Sequence, residues 1–379
     1  LKIIAATTSR LAPISLPSGH ALGHVLAETV ISPVNLPSFA NTAMDGFALA
    51  TKGHELPAGT EWDVLGEQAA GDGKTQANEG AWEIMTGARI PDGFDAVIPI
   101  EQVQIIQTRD DGRPARIRSH ASILPGQHVR HAGEDIALGE IAMEAGERLE
   151  AQHIMLLAGL GIREVLVTRP PRVALICTGR ELIDDVSQPL VEGQIRNSNG
   201  PFLLARMAAA GAVVVHYETV SDEPDVFIAS LKKALSLMPD IVISTGAVSM
   251  GRYDFIPDAL RGENAEILFH KVAIRPGKPL LFARLAGGQL YFGLPGNPVS
   301  SAVGLRFFVE AAVRTQLGLP PEQSIKVPIK SAIKKKAGFR FHQKAKLEVD
   351  THGQLQVSVL SGQESFRIRP LLQANAWVV

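Results

Sequence analysis

The feature that most constrains this chain is the rhythm that begins after Pro170-Pro171. RVALICTG, NGPFLLARMAAAG, AVVVHYETV, EPDVFIASLKKALSLM and DIVISTG alternate short apolar runs with stretches of helical period. Such alternation predicts parallel strands joined by crossover helices, with both faces of the sheet covered. ILFHKVAI, PLLFARL and GQLYFGL add further strands, and NPVSSAVGLRFFVEAAVRTQLG reads as a closing helix stopped by Gly318 and Pro320-Pro321.

The rest of the chain has a different texture. The opening residues pair a short helical stretch, HALGHVLAE, with a Pro-bounded extended one, TVISPVNLP, and together they are too short to bury a core. From residue 38 to residue 130 the pattern is short alternating runs punctuated by Gly and Pro, as in EWDVLGEQAAGDG and RPARIRS, which predicts a small all-β unit. EAQHIMLLAGL then carries a helix period, with IREVLVTRPP as its extended exit. If this segment completes the opening one, the β unit is an insertion. The tail alternates again through IKVPIKSAI, FRFHQKAKLEVD, LQVSVL and SFRIRPLL, with a turn at Thr351-His352-Gly353, and predicts a second small β unit. A length of 379 residues accommodates several such units.

Charge and composition remove whole classes of function. Lys and Arg number 37 against 39 Asp and Glu, and no basic stripe is present beyond Lys334-Lys335-Lys336, so nucleic acid is not an expected partner. No apolar run reaches the ~18 residues a membrane span needs, and the first residues lack a secretory signal, so a cytoplasmic protein is expected. The single cysteine, Cys177, excludes an intrachain disulfide and reads as a buried strand residue rather than a nucleophile.

In an open parallel sheet, ligands bind beyond the carboxyl ends of the strands. DIVIS runs into TGAVSMGRYD, where Gly246 and Gly251 permit close main-chain approach and Ser244, Thr245 and Ser249 offer hydroxyls to an anion. GQLYFGL runs into PGNPVSS, where Asn297 is placed to cap a helix with Pro298 in its first turn, leaving the following amides for an anion. HKVAIRPGKP lies between them and supplies Lys271, Arg275 and Lys278. Glu181, Asp222 and Asp254 occupy other loop ends, and carboxylates beside a phosphate site point to a divalent metal such as Mg²⁺. Capping alone would explain Asp222, which precedes EPDVFIASL. In the β unit, Asp45-Gly46 and Thr86-Gly87 lie in apolar contexts, and Glu134-Asp135 follow; locally the Asp-Gly turn reads as a hairpin, and nothing local makes any of these catalytic.

Taken in order, SFANTAMDGFA, EIMTGARIP with DAVIPIE, GEDI, TGREL, ISTGAVSMGRYDF, KVAIRPGKP and GLPGNPVS resemble the molybdopterin molybdenumtransferase family, the MoeA type related to the C-terminal part of gephyrin. The resemblance spans about residues 26–317 and is weaker beyond. It implies a multidomain α/β fold: a split elongated helical segment that serves dimerisation (1–38 with 131–168), an inserted β domain (39–130), a three-layer α/β pterin-binding domain with a mostly parallel sheet (169–319) and a C-terminal β-barrel (320–379). It further implies insertion of molybdate into adenylylated molybdopterin with release of AMP, Mg²⁺ as cofactor, and a homodimer whose cleft joins one α/β domain to the partner's inserted domain. Transient contacts with other molybdenum-cofactor synthesis proteins and acceptor enzymes follow from the same resemblance.

Carried over by motif, the implied active residues are Asp45, Thr86, Asp135, Glu181, Asp222, Asp254, Lys271, Arg275, Lys278, Pro295 and Pro298. Glu181, Asp222 and Asp254 would hold Mg²⁺. Thr178, Gly179, Ser244, Thr245, Gly246, Ser249, Gly251, Gly296, Asn297 and Ser300 would hold the pterin and its phosphates. Arg180, Ala247, Arg275 and Arg89 stand where the family usually has an acidic residue, glycine, lysine and proline. Two other readings are a pterin-binding scaffold without turnover and the related adenylyltransferase, a smaller protein lacking the inserted β unit. The opening is shorter than the amphipathic helix usual there, which would fit a trimmed start.

Overall fold

The computed structural model describes residues 1–77, 79–248, 255–333, 335 and 337–379. Its centre is a six-stranded sheet in the order Val213–Val220, Arg172–Thr178, Ile241–Thr245, Leu290–Leu294, Leu281–Arg284, Glu266–His270. The first four strands are parallel, and the last two join by antiparallel ladders. Alternation along each strand sorts the side chains between two faces. Val173, Leu175, Cys177, Ile243 and Phe292 share one apolar cluster with the helix Asn199–Ala210 and the closing helical stretch. Ala174, Ile176, Val242 and Tyr291 share the other with the helices Pro224–Ser236 and Ile256–Gly262. The domain is therefore three-layered with a mostly parallel sheet, as its rhythm predicts. The closing stretch runs through Pro298–Gly304, a π-helical turn at Leu305–Val309 and Glu310–Leu317, and stops at Gly318 in the left-handed conformation.

The split segment departs from expectation. HALGHVLAE is not a helix: it forms a 3₁₀ turn at Ser18–His20, a left-handed Gly23 and a short strand, Val25–Leu26. Val25 is buried in the α/β cluster while its neighbour Leu26 is buried in the split segment's own core with Leu149, Leu157 and Val167. Consecutive residues facing opposite cores require extended chain, which outweighs the helical spacing. The segment is thus β-rich, built on Pro13–Pro17 paired with Glu164–Thr168, and carries one nine-residue helix, Ala151–Gly159. The helix Lys2–Thr7 packs on Glu310–Leu317 and buries Ile4 in the α/β cluster.

The inserted domain is a six-stranded sheet in the order Ala96–Pro99, Gly46–Leu49, Ala81–Ile84, Glu61–Gln68, Pro114–Ser119, Val103–Thr108. Phe47, Leu49 and Ile98 pack on one face, Ala48, Ile84 and Val97 on the other. In the C-terminal segment Gln343–Val349 lies between Leu355–Val359 and Ala376–Val378. IKVPIKSAI contributes only an Ile329–Val357 bridge, and SFRIRPLL becomes a loop with a 3₁₀ turn, Arg369–Leu372. Among the described residues this is a three-stranded sheet, not a closed barrel. The loop is drawn inward by Lys344, fully buried, whose Nζ donates to the carbonyls of Gly362 at 2.6 Å and Arg367 at 3.2 Å. Among the described residues no helix is long and apolar enough to cross a membrane.

Candidate active site

Three loops leave the carboxyl ends of the parallel strands and meet. The first follows Arg172–Thr178: Thr178 Oγ1 donates to the Thr245 carbonyl at 3.0 Å, and the Gly179 amide to the Val220 carbonyl at 3.0 Å. The second follows Ile241–Thr245 and turns at Gly246, whose φ is +90° and whose amide donates to the Leu294 carbonyl at 3.0 Å. A Cβ there would lie 2.6 Å from Thr178 Oγ1 and 2.7 Å from its carbonyl oxygen, so only glycine lets these strand ends approach. The third is Pro295-Gly296-Asn297-Pro298, and a Cβ on Gly296 would lie 3.8 Å from Gly246 Cα. Gly296 and Asn297 are exposed, while Pro295 is buried and its carbonyl accepts the Ser301 hydroxyl.

Several expected ligand groups have other employment. Ser244 has no exposed surface, and its hydroxyl accepts from Tyr291; it ties neighbouring strands together rather than facing an anion. Thr245 and Ser300 are likewise buried. The Val299 amide, expected to be free, donates to the Ser365 carbonyl at 2.9 Å, and the Ser301 amide closes the turn on the Asn297 carbonyl at 3.0 Å. Asn297 does occupy the helix cap position, but its side chain makes no capping bond. Ala247 adopts φ +49°, a left-handed conformation that costs a non-glycine residue roughly 1–2 kcal/mol.

Glu181 and Asp222 lie on adjoining loops, linked through the Gly179–Val220 bond. Capping does not account for Asp222, because Glu223 is the cap residue of the next helix and no capping bond forms. Among the described residues neither carboxylate has a hydrogen-bond or ion-pair partner, and no group of three or more metal-ligating side chains is present. The two carboxylates suit a divalent ion that completes its shell with water and phosphate oxygens. Ser249, Gly251 and Asp254 lie outside the described residues.

The cations sit on a loop organised from two sides. The Lys271 amide donates to the Leu280 carbonyl and the Val272 amide to the Lys278 carbonyl, both at 2.9 Å. From the C-terminal segment, Arg340–Phe341 pairs in parallel with Ile274–Arg275, and the exposed Arg275 guanidinium lies 5.8 Å from the Phe341 ring centre. Lys278 is exposed and Lys271 half-buried. The C-terminal segment thus braces the cationic loop, a link that no local motif reveals.

The inserted domain holds a separate corner. The Thr86 amide and hydroxyl donate to Asp45 Oδ1 at 2.6 and 2.8 Å, and these bonds hold the carboxyl below its usual range. The next residue, Gly46, pairs so closely with Ala96–Pro99 that a Cβ would lie 2.0 Å from the Ile98 carbonyl oxygen. The sequence placed Asp45 and Thr86 together only through the family resemblance; the structure joins them directly. Asp135 is exposed, with its amide on the Leu36 carbonyl at 3.0 Å. Among the described residues no hydrogen bond or ion pair joins the inserted domain to the α/β loops of the same chain. Cys177 is fully buried, and burial pushes its thiol up, away from a reactive thiolate.

The α/β sheet and its strand-end loops define the class, a three-layer α/β fold that receives ligands beyond the carboxyl ends of its strands. A model described as a probable molybdopterin binding domain matches residues 174–315, and one described as the MoeA N-terminal region, domains I and II, matches residues 1–161. Molybdopterin molybdenumtransferase of Synechococcus elongatus is 35% identical over 368 residues, covering 94% of this chain and 87% of that protein. The same-named protein of Staphylococcus epidermidis is 37% identical over 310 residues, covering 80% and 72%. The crystal structure of the molybdopterin biosynthesis MoeA protein from Pyrococcus horikoshii superposes with a TM-score of 0.82 at 28% identity, over 100% of this chain and 92% of that one. The chain belongs to the molybdopterin molybdenumtransferase family.

Proposed function

We propose that this chain acts in molybdenum cofactor biosynthesis as a molybdopterin molybdenumtransferase, inserting molybdate into adenylylated molybdopterin as the adenylate is hydrolysed and AMP released. The observation that carries this reading is the meeting of Gly246 and Gly296 at the strand ends, with two carboxylates on strand-end loops that have no partner among the described residues and a loop that exposes Arg275 and Lys278. The Gly246 and Gly296 loops leave main chain open to a phosphorylated ligand, and Arg275 and Lys278 offset its charge and that of the oxyanion. Glu181 and Asp222 would hold Mg²⁺ together with Asp254. When bound, that ion supplies Lewis-acid polarisation of the phosphoryl oxygens. The carboxylates orient the water that replaces AMP.

Among the described residues no hydrogen bond or ion pair joins the Asp45–Thr86 corner to these loops within one chain, and this supports a homodimer in which the partner's corner, with Asp135, closes the cleft. We place the protein in the cytoplasm, where Cys177 stays reduced and cofactor passes to acceptor enzymes by transient contact. The test is AMP release from adenylylated molybdopterin with Mg²⁺ and molybdate. The expected result is release and active cofactor from wild type and a loss of about a hundredfold or more in Glu181→Ala. Binding without AMP release by wild type would make the chain a scaffold instead.

A further inference from the structure

Glu181 and the Gly296-Asn297 turn lie on loops that leave different strands, yet one four-residue segment, Asn197-Ser198-Asn199-Gly200, is bonded to both. On one side, Leu182–Ile183 pairs in parallel with Ile195–Arg196. The Ile195 amide donates to the Glu181 carbonyl at 2.8 Å, and the Asn197 amide to the Ile183 carbonyl at 3.1 Å. The Asn197 side chain continues the attachment: its Nδ2 lies 3.0 Å from Asp184 Oδ1 and Thr219 Oγ1 and 3.2 Å from the Tyr217 hydroxyl. Tyr217 donates to the same Asp184 oxygen at 2.6 Å. Asn197 Oδ1 accepts the Gly200 amide at 3.0 Å, so the residue is bonded at both ends of its amide and is only 6% exposed. On the other side, Asn199 Nδ2 donates to the Gly296 carbonyl at 2.7 Å. Gly200 seals the segment against the sheet, because a Cβ there would lie 2.4 Å from the Tyr217 hydroxyl.

We infer that residues 197–200 are a clamp that fixes the spacing between the Glu181 loop and the Gly296 turn, with Asn197, Asn199, Asp184 and Tyr217 as positioning residues for the reaction. The side-chain chemistry is specific. An amide donates to a carbonyl without bringing charge, whereas a carboxylate at residue 199 would set oxygen against oxygen. The two attachments lie two residues apart, at Asn197 and Asn199, on one segment that leads straight into the helix Asn199–Ala210. A shift of either loop is therefore transmitted to the other, and the site meets its ligand with its two halves already spaced.

The inference rests on the proposed reading of these loops as the active site, so the test has one arm independent of that reading. Hydrogen exchange is measured on the ligand-free full chain, and AMP-release kinetics on the same samples, for wild type, Asn199→Asp and Tyr217→Phe. Asn199→Asp should speed exchange of the Val299 and Ser301 amides and raise KM for adenylylated molybdopterin about tenfold, with kcat within about threefold. Tyr217→Phe, which keeps the ring and so the packing, should speed exchange of the Ile195 and Asn197 amides and, to a smaller degree through the clamp, of the Val299 and Ser301 amides. Wild-type exchange and wild-type KM in both variants overturn the clamp. A wild-type protein that releases no AMP overturns the functional reading instead, and the exchange arm then judges the clamp by itself.

Discussion

The α/β loops and the Asp45–Thr86 corner are built by opposite means. At the strand ends, close main-chain approach is enforced by a sheet buried on both faces, with Thr178, Gly246 and Leu294 bonded across it. At the corner, two exposed side chains meet at the end of the antiparallel pair Gly46–Leu49 and Ala81–Ile84, and the chain is close-packed at Gly46. The first offers main chain brought close by the sheet; the second offers a carboxylate held by two hydrogen bonds. The comparison teaches that main-chain geometry made by a buried sheet and side-chain chemistry held at an exposed corner sit on separate domains of this chain.

The sharpest way to break that comparison is complementation. Asp45→Ala and Glu181→Ala should each lose about a hundredfold or more of AMP release. Mixing and reassembling equal amounts should then restore up to about a quarter of wild-type activity, because half of randomly paired dimers are mixed and each carries one intact site. No recovery in assembled mixed dimers would place Asp45 and Glu181 in one site of one chain. A smaller effect separates two glycines that meet at the strand ends. Gly246→Ala drives a methyl into Thr178 and should destabilise the chain by about 1–3 kcal/mol in denaturant melts. Gly296→Ala, with only Gly246 Cα near at 3.8 Å, should melt as wild type and weaken ligand binding alone.

The smallest effect concerns the corner. The Asp45 carboxyl is held down first by the Thr86 amide and then by its hydroxyl. A depressed carboxyl favours the bonded, ionised form above its ordinary value of 3.8 and loses that advantage as pH falls through its lowered value. Thr86→Val removes the hydroxyl and leaves the amide, so the carboxyl rises part of the way back. The acid limb of the AMP-release profile should move to higher pH, with activity near neutrality little changed. An unmoved acid limb would show that Asp45 does not control it.

The strands of the α/β sheet were legible because burial on both faces leaves uninterrupted apolar runs such as RVALICTG. The strand ends therefore located Gly246, Gly296 and Glu181. HALGHVLAE misled because Val25 and Leu26 serve different cores, and periodicity assumes one. Ser244 misled because a hydroxyl read as facing a ligand bonds Tyr291 within the sheet. The clamp at residues 197–200 carried no signal, since its meaning depends on Gly296 nearly a hundred residues later. Nor did the Ser365 carbonyl on Val299, which belongs to a loop that a buried lysine sets in place.

The helix Lys2–Thr7 has a consequence in time. Its partner, Glu310–Leu317, is made roughly 300 residues later, which at ~5–20 residues per second is a delay of roughly 15–60 s during synthesis. Ile4 lacks that wall of its pocket in the interval, so the helix waits after Pro13–Pro17 has met Glu164–Thr168. Docking of this helix therefore waits on the closing stretch, and a chain released before Leu317 leaves it undocked.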